Sequence, residues 1–247
     1  MSSPVDGATL TYVVGALAAL VVGFSKTGIP GAGIVLVPLM AIVFPAKTSV
    51  GVLLPMLIMG DFFAVGFYRH HAQWRKLAAL LPAVAGGMLA ATWALTRIQD
   101  HQMKPLLGWL VLSLLALELI RRRLGWERIP HHWSFAVAMG LLAGFGTTIG
   151  NAAGPVMTVY LVSRNLDKHQ FLGTSAWFFM LVNLAKFPIF WRLGMITPQT
   201  LGFDLLGLPL IAAGALAGRA LLPHLPQRAF TAVVMALAVL GALKLIV

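Results

Sequence analysis

The stretch GFSKTGIPGAGIVLVP, residues 23–38, decides how this chain can sit in a membrane. It holds four glycines, two prolines, two hydroxyl residues and a lysine, in a region otherwise apolar enough for a continuous membrane helix. In hydrocarbon an unpaired backbone N–H or C=O is costly, so a helix is interrupted only where its backbone is buried in protein or lines a polar cavity. The stretch therefore predicts a broken helix whose backbone faces a polar site.

The composition is that of an integral membrane protein. Of the 247 residues, 59% are hydrophobic and 10% are charged, and the mean hydropathy is +0.88, whereas about one-quarter of a soluble domain is charged. The net charge of +11 does not indicate a nucleic-acid site, because basic loops serve to orient membrane proteins. The start, MSSPVDGATL, has no basic region, so we expect no cleavable signal peptide.

Ten apolar segments follow one another along the chain. Most reach the roughly 17 to 25 residues that cross a bilayer, but the second and seventh are nearer the length of half helices or re-entrant elements. The loops leave no room for a soluble domain, so we expect a single membrane bundle. The segments are 8–24, 31–44, 48–68, 76–96, 105–120, 132–149, 152–163, 170–191, 200–219 and 229–247.

The second half of the chain repeats the first. GFSKTGIPGAGIVLVPL from residue 23 aligns with GFGTTIGNAAGPVMTVY from residue 144, and Thr48-Ser49 aligns with Thr174-Ser175 further on. Each half then has five apolar segments, of which the second is short. The identical pairs of the first alignment are Gly23 with Gly144, Phe24 with Phe145, Thr27 with Thr148, Ala32 with Ala153, Gly33 with Gly154 and Val35 with Val156.

The distribution of lysine and arginine predicts the topology, because basic loops stay in the cytoplasm. If the first two segments of each half both cross, or both re-enter from one side, 11 of the 18 basic residues share one side and 5 lie opposite. A single crossing by each short pair would divide them 9 to 7. The first arrangement separates charge better, places both termini in the periplasm and inverts one half relative to the other.

The predicted fold is thus an all-α integral membrane protein built from two inverted repeats, residues 1–124 and 125–247. Each repeat has about five apolar segments, giving eight full spans plus two short or broken helices, or ten segments in all. Inverted halves with broken helices at matching positions are typical of secondary transporters.

The two glycine-rich stretches predict an anion site. Glycines permit turns that other residues avoid, and Pro30 ends a helix. Freed N–H groups and a helix N-terminus beside Lys26 suit an anion, and hydroxyl and amide groups add neutral donors. The predicted binding residues are Ser25, Lys26, Thr27, Gly28, Pro30, Gly31 and Gly33 in the first stretch, and Thr147, Thr148, Gly150, Asn151 and Gly154 in the second.

Glycines in membrane helices can instead be points of close packing. For Gly214 and Gly218, a GxxxG pair, packing is the favoured interpretation. For the two stretches at 23–33 and 144–154 a binding site is favoured, because glycine and hydroxyl residues coincide in both.

Ionisable groups within apolar segments are candidates for function. Asp61 in segment 3 and Lys186 in segment 8 occupy nearly equivalent places in the two halves, and Asn183 lies one helical turn before Lys186. We expect Lys186 to add positive potential, and Asp61 either to pair with it or to carry a coupling proton. A purely structural ion pair is the alternative. Asp204, near the start of a segment, is interpreted as structural.

The remaining reactive residue types predict no metal, cofactor or catalytic centre. There are no cysteines, and six of the seven histidines fall in predicted cytoplasmic loops, where interfacial anchoring is the favoured role. No metal-ligand spacing, paired carboxylates or converging Ser-His-Asp set is present, so we expect no enzyme. The expected partners are a small anionic substrate, the lipid bilayer and a coupled proton or other ion.

The motifs GFSKTGIPGAGIVLVPLM at 23–40 and GFGTTIGNAAGPVMTVYL at 144–161 resemble those of the TauE/SafE family, also called the sulfite exporter or toluene-sulfonate uptake permease family. The resemblance covers nearly the whole chain. It implies a bacterial inner-membrane secondary carrier of sulfite, sulfonates or related sulfur-containing or organic anions, with about eight spanning helices. Lys26 and Asn151 are additions to the family motif, and the consecutive glycines of the family are interrupted here by alanine.

The leading hypothesis is anion transport by alternating access, with the substrate held where the two interrupted helices meet near the membrane midplane. An anion channel is the first alternative. A membrane-embedded enzyme acting on lipid substrates is the second.

Overall fold

The computed structural model describes residues 4–28, 32–124, 132–164, 166–221 and 227–246, and helices make up most of them. In these residues the structure has no β-strand, in agreement with the predicted all-α fold. The helices are α1 (Pro4–Thr27), α2 (Leu36–Met40), α3 (Ala46–Tyr68), α4 (Trp74–Arg97), α5 (Asp100–Leu124), α6 (Trp133–Gly150), α7 (Gly154–Ser163), α8 (Lys168–Arg192), α9 (Pro198–Leu206), α10 (Leu208–Leu221) and α11 (Gln227–Ile246). Short 3-10 turns occupy Ala32–Val35 and Arg69–His71.

Within the described ranges, six helices are long and apolar enough to cross a membrane, or seven if α9 and α10 together form one span. The two segments predicted to be short are short. Segment 31–44 contains a 3-10 turn and the five-residue α2, and segment 152–163 contains the ten-residue α7. At about 1.5 Å of rise per residue, α7 covers about half of the ~30 Å hydrocarbon layer.

Segment 200–219 is predicted as one apolar segment, and the structure divides it into two helices that can together form one broken span. The helix is broken at Gly207, where α9 and α10 meet with a bend of 47°. Pro209 explains the break, because proline has no N–H to donate and its ring conflicts with the carbonyl group four residues earlier. Gly207, a poor helix former, ends α9 there.

Glycines bring two pairs of helices into backbone contact. A Cβ atom on Gly23 of α1 would overlap the carbonyl oxygen of Ile211 in α10, and one on Gly214 of α10 would overlap that of Leu20 in α1. The pair α4 and α6 repeats this reciprocal arrangement through Gly87 and Gly144. Gly23 and Gly144 therefore serve close packing within continuous helices, not the turns expected of the glycine-rich stretches.

The predicted packing role of Gly214 and Gly218 is confirmed, since both face the backbone of α1 at Leu20 and Phe24. Helix α3 packs on α8 between the two glycine-packed pairs, and α5 packs on α11. The span that contains α3 is 61% buried inside the protein and those of α6 and α8 are 56% buried, against 33% for those of α1, α4 and α5. The interior of the bundle is therefore formed mainly by α3, α6 and α8.

Loop contacts define the two ends of the bundle. At one end the His71 ring, after α3, lies 5.2 Å from the His169 ring at the start of α8. At the other end the backbone N–H of Lys47, at the start of α3, donates to Asp100 at the start of α5 over 2.9 Å. The α3–α4 and α7–α8 loops therefore share one end, and the α2–α3 and α4–α5 loops share the opposite end.

We expect Gly144→Ala to destabilise the bundle by about 1–3 kcal/mol, because the new methyl group overlaps the Val84 backbone, which cannot move aside as a side chain can. Gly66→Ala is the matched control. Gly66 also lies inside a helix, but its added methyl group meets open space, so helix propensity should favour alanine by about 0.5–1 kcal/mol. The midpoint of thermal unfolding in detergent, followed by tryptophan fluorescence, measures both. Equal midpoints for Gly144→Ala and the unmutated protein would contradict the packing assignment.

Candidate functional site

Both glycine-rich stretches interrupt their helices where the sequence predicts. In the first, α1 ends at Thr27, the Gly28 N–H donates to the Phe24 carbonyl, and the next turn begins at Ala32. The predicted binding residues Pro30 and Gly31 lie outside the described residues. In the second stretch α6 ends at Gly150 and α7 begins at Gly154.

Asn151 makes the turn that ends α6. Its φ of 52° and ψ of 27° place it in the left-handed region, where asparagine is the commonest residue after glycine. Its N–H donates to the Thr147 carbonyl, and the next N–H, of Ala152, donates to Gly146. Its side-chain amide donates to the Val50 carbonyl of α3 over 2.8 Å. Asn151 thus closes the end of one helix and ties it to another.

Lys186 of α8 holds this turn from the other side. Its side chain is fully buried, and its Nζ donates to the Thr147 carbonyl at 2.9 Å, the Thr147 hydroxyl at 2.9 Å and the Asn151 Oδ1 at 2.7 Å. Three oxygen acceptors match the three donors of an ammonium group. The predicted lysine is therefore part of the site, and it organises the α6 turn directly.

The expected pairing of Asp61 with Lys186 is wrong, because Asp61 pairs with Lys26. The Lys26 Nζ lies 2.7 Å from Asp61 Oδ1, and the Asn183 amide donates to Asp61 Oδ2 over 2.6 Å. Segment periodicity placed Asp61 and Lys186 at matching heights. The packing of α1 against α3, which periodicity does not show, places Lys26 and not Lys186 beside the carboxylate.

A cavity of about 60 Å³ lies between the two interruptions, with room for a few water molecules or one small ion. The Lys26–Asp61–Asn183 group and the Thr147–Asn151 turn both reach it. Predicted site residues that line it are Ser25, Lys26, Gly33, Asp61, Thr147, Asn151, Gly154 and Asn183. Lys26 is 11% exposed whereas Asp61 is fully buried, so of the ion pair the ammonium group is the more accessible.

Besides Lys186, which contacts the α6 turn from behind, four predicted binding residues do not line the cavity. Thr27 donates to the Ala215 carbonyl of α10 over 2.7 Å, so its hydroxyl serves the α1–α10 contact. Gly28 faces Gly218 of the same contact. The remaining two, Thr148 and Gly150, are buried in α6 away from the lining. The alignment of the two stretches could not separate these positions, because it does not show which side of each helix faces the cavity.

The sequence prediction missed one polar and one aromatic residue of the lining, Ser175 and Phe179 of α8. The Phe179 ring centroid lies 4.4 Å from the Lys26 Nζ, a cation–π contact. A signal was present in the spacing, since residues 175, 179 and 183 recur every four positions and share one helix face. Asn183 was recognised on that face and the other two were not.

The charges around the cavity favour an anion. The described cluster contains two lysines, Lys26 at the cavity wall and Lys186 bound to Asn151, and one carboxylate, Asp61, so its formal charge is positive when all three groups are ionised. Gly154 and Pro155 also bring the N-terminus of α7 to the cavity wall. The first N–H groups of a helix have no partner within it and carry partial positive charge.

A sequence model of the family described as sulfite exporter TauE/SafE matches residues 15–245. The match covers both glycine-rich stretches and confirms the resemblance seen in them. Neither a curated protein nor a solved structure matches the chain.

We expect Asn151→Ala to be less stable than Asn151→Gly by about 1 kcal/mol, because alanine is strained in the left-handed conformation and glycine is not. Both variants lose the same side-chain hydrogen bonds, so the difference isolates the backbone. Gly194→Ala calibrates it, since Gly194 has φ 67° and open space around it. Thermal midpoints in detergent measure all three. A glycine variant no more stable than the alanine variant would show that the left-handed turn is not maintained.

Proposed function

The chain belongs to the sulfite exporter TauE/SafE family, and we propose that it is a secondary transporter of small anions such as sulfite, organosulfonates or related sulfur-containing or organic anions. The family is one of membrane exporters, and the apolar helices agree with a multi-pass membrane protein. We further propose the bacterial inner membrane as its location, with both termini in the periplasm.

The observation that carries this proposal is the cavity between the two interrupted helices, bordered by Lys26 and tied to Lys186 through Asn151. A lysine buried in a membrane protein is costly and marks a pathway or binding site more often than a stabilising contact. Two serines, Ser25 and Ser175, also line the cavity, and the Ser25 hydroxyl donates to the Val22 carbonyl until a ligand offers another acceptor. Cations and hydroxyl donors together are suited to a small oxyanion.

We propose that the bound anion contacts Lys26 in competition with Asp61. The two carboxylate oxygens of Asp61 already hold the Lys26 ammonium group and the Asn183 amide in place. An incoming oxyanion would therefore meet donors that are already oriented toward an oxygen acceptor. Lys186 does not line the cavity. Its proposed role is to hold Thr147 and Asn151 in place and to add positive potential.

Alternating access by two inverted halves is the proposed mechanism. The packing supports it: the first helix of each predicted half packs by glycine on the fourth segment of the other half, α1 on α10 and α6 on α4. The third segments of the halves, α3 and α8, pack on each other, as do the fifth, α5 and α11. Such reciprocal packing between matching segments is expected when two halves are related by a two-fold axis.

The transport proposal is tested by flux into proteoliposomes with sulfite, sulfate, thiosulfate, sulfoacetate, taurine and small carboxylates. A carrier gives saturable uptake that is accelerated by unlabelled anion on the opposite side. A channel gives unitary conductance and no such counterflow. Absence of flux for every anion of the panel would contradict the proposal.

We expect Lys26→Met to lower the rate of anion counterflow by about 10- to 100-fold. This is the factor that corresponds to the loss of one charged hydrogen bond of about 1.5–3 kcal/mol to the anion. Lys104→Met removes an exposed lysine and should transport normally. The double variant Lys26→Met, Asp61→Asn separates binding from pairing. It relieves the unpaired buried carboxylate and should recover thermal stability without recovering flux. Normal flux in the double variant would show that Lys26 only neutralises Asp61.

We expect cysteines introduced at His70 and His169 to react with a membrane-impermeant maleimide from the cytoplasmic side, and cysteines at His101 and Gln199 from the periplasmic side. All four positions are exposed, and the chain has no other cysteine to interfere. The first two lie at the end of the bundle where the basic α3–α4 and α7–α8 loops meet. Labelling of His70 and His169 variants from opposite sides would contradict the inverted topology.

A further inference from the structure

Asp204 of α9 is a second buried carboxylate, and the anion site does not use it. It is completely buried, and neither of its carboxylate oxygens has a hydrogen-bond donor among the described residues. The sequence alone favoured a structural role. A structural carboxylate in a membrane is expected to be paired or hydrogen-bonded, because burial of an isolated charge is strongly unfavourable.

Charged groups on the helices around α9 are engaged elsewhere. On α3, which packs on α9, the Lys47 Nζ donates to the Leu95 carbonyl and Asp61 pairs with Lys26 of α1. On α10 the Arg219 guanidinium lies over the Phe67 ring. Within the described part of the chain, Asp204 therefore has no cation to balance an ionised carboxylate.

The position of Asp204 is distinctive when the two glycine-packed helices are compared. In α4, the buried Leu77 lies ten residues before Gly87, the glycine that contacts α6. In α9–α10, Asp204 lies ten residues before Gly214, the glycine that contacts α1. An acid thus stands where the matching helix has an apolar side chain, and it lies three residues before the 47° bend at Gly207.

We propose that Asp204 is the proton-binding site that couples anion movement to a proton gradient. This inference rests on the proposed transport function. The carboxylate takes up one proton when water reaches the bend from one side of the membrane, and it releases the proton to the other side. Burial without a partner costs the neutral acid far less than the ionised carboxylate, and the side chains next to the bend at Gly207, Ala19 and Met56, are apolar.

A proton fits this site better than a metal cation. A metal ion needs several oxygen ligands, whereas a proton needs one carboxylate oxygen. The hydroxyl one turn away on α9, that of Thr200, is engaged with Thr197 in the cap of the helix. No group of three histidine or acidic side chains that could hold a metal occurs in the described ranges.

The connection to the anion site runs through backbone contacts. The α9–α10 bend is continuous with Gly214 and Gly218, which contact α1 at Leu20 and Phe24. The next residues of α1 are Ser25 and Lys26, which line the cavity. A change in the bend on protonation therefore moves the side of the site that carries Lys26.

The test compares the unmutated protein with Asp204→Asn, which keeps the size of the side chain and imitates the protonated acid. Asp167→Asn is the matched control, since Asp167 is an exposed helix cap and asparagine caps equally well. The anion of the panel with the fastest counterflow is the probe, and the membrane potential is clamped at zero. One proton per anion then sustains about tenfold accumulation per pH unit.

We expect Asp204→Asn to retain counterflow but to lose accumulation, with the ratio falling from about tenfold to about one per pH unit, while Asp167→Asn matches the unmutated protein. Accumulation by Asp204→Asn at the normal ratio would overturn the proposal, as would accumulation driven by a sodium gradient at equal pH. If the unmutated protein shows counterflow but no pH-driven accumulation, the coupling role of Asp204 is contradicted and the transport function is not. No counterflow at all contradicts the transport function and the coupling with it.

Infrared spectroscopy of the purified proteins in lipid gives a readout that needs no substrate. The unmutated protein and Asp167→Asn should show a carbonyl band of a buried protonated carboxylic acid that Asp204→Asn lacks. Identical spectra for Asp204→Asn and the unmutated protein at every pH would overturn the assignment of a proton to Asp204, even if transport is observed.

Discussion

The structure depends on how the chain satisfies polar groups where a helix stops inside the membrane. At the end of α6, three donors of Lys186 meet the oxygens of Thr147 and Asn151, and the Asn151 amide reaches the backbone of α3. In a medium without water each of these groups would be costly if left alone. The interruption is stable because helices α3, α6 and α8 supply one another's partners, and the same partners bring positive charge to the cavity.

Close backbone contacts at glycines, here called glycine seams, join α1 to α10 and α4 to α6. The pair α1 and α10 carries Ser25 and Lys26, and the pair α4 and α6 carries Thr147 and Asn151, on opposite sides of one cavity. Between them, α3 and α8 contribute Asp61 and Asn183. Backbone-to-backbone packing leaves no flexible side chains to absorb displacement, so each pair is expected to behave as a rigid unit. A small anion between two such units would be exposed to one side or the other as they rock, which is the mechanism proposed for the chain within its family.

The broken α9–α10 element makes the two seams unequal. Its partner in the other seam, α4, runs without a break from Trp74 to Arg97, and it has leucine where α9 has Asp204. A symmetrical pair of halves would suffice to expose a site alternately to two sides. An acid at this position of the fourth segment in only one half adds a titratable group that only the surroundings of that half can respond to, which is why this element, and not the glycine-rich stretches, carries the proposed coupling.

Much of this could be predicted from the sequence, because hydropathy, helix-breaking residues and intramembrane charges each have local physical meaning. They predicted the helical membrane fold, the two short segments, both interruptions, and Lys26, Asp61, Asn151 and Lys186 as members of one site. Tertiary structure alone decided which partner each group has: Lys26 and not Lys186 for Asp61, the α10 backbone for Thr27, and no donor for Asp204 in the described chain. The reason is that helix periodicity indicates the face on which a side chain lies, whereas its partner depends on the rotation and depth of the neighbouring helix. Glycine contacts between residues far apart in the sequence determine that rotation and depth.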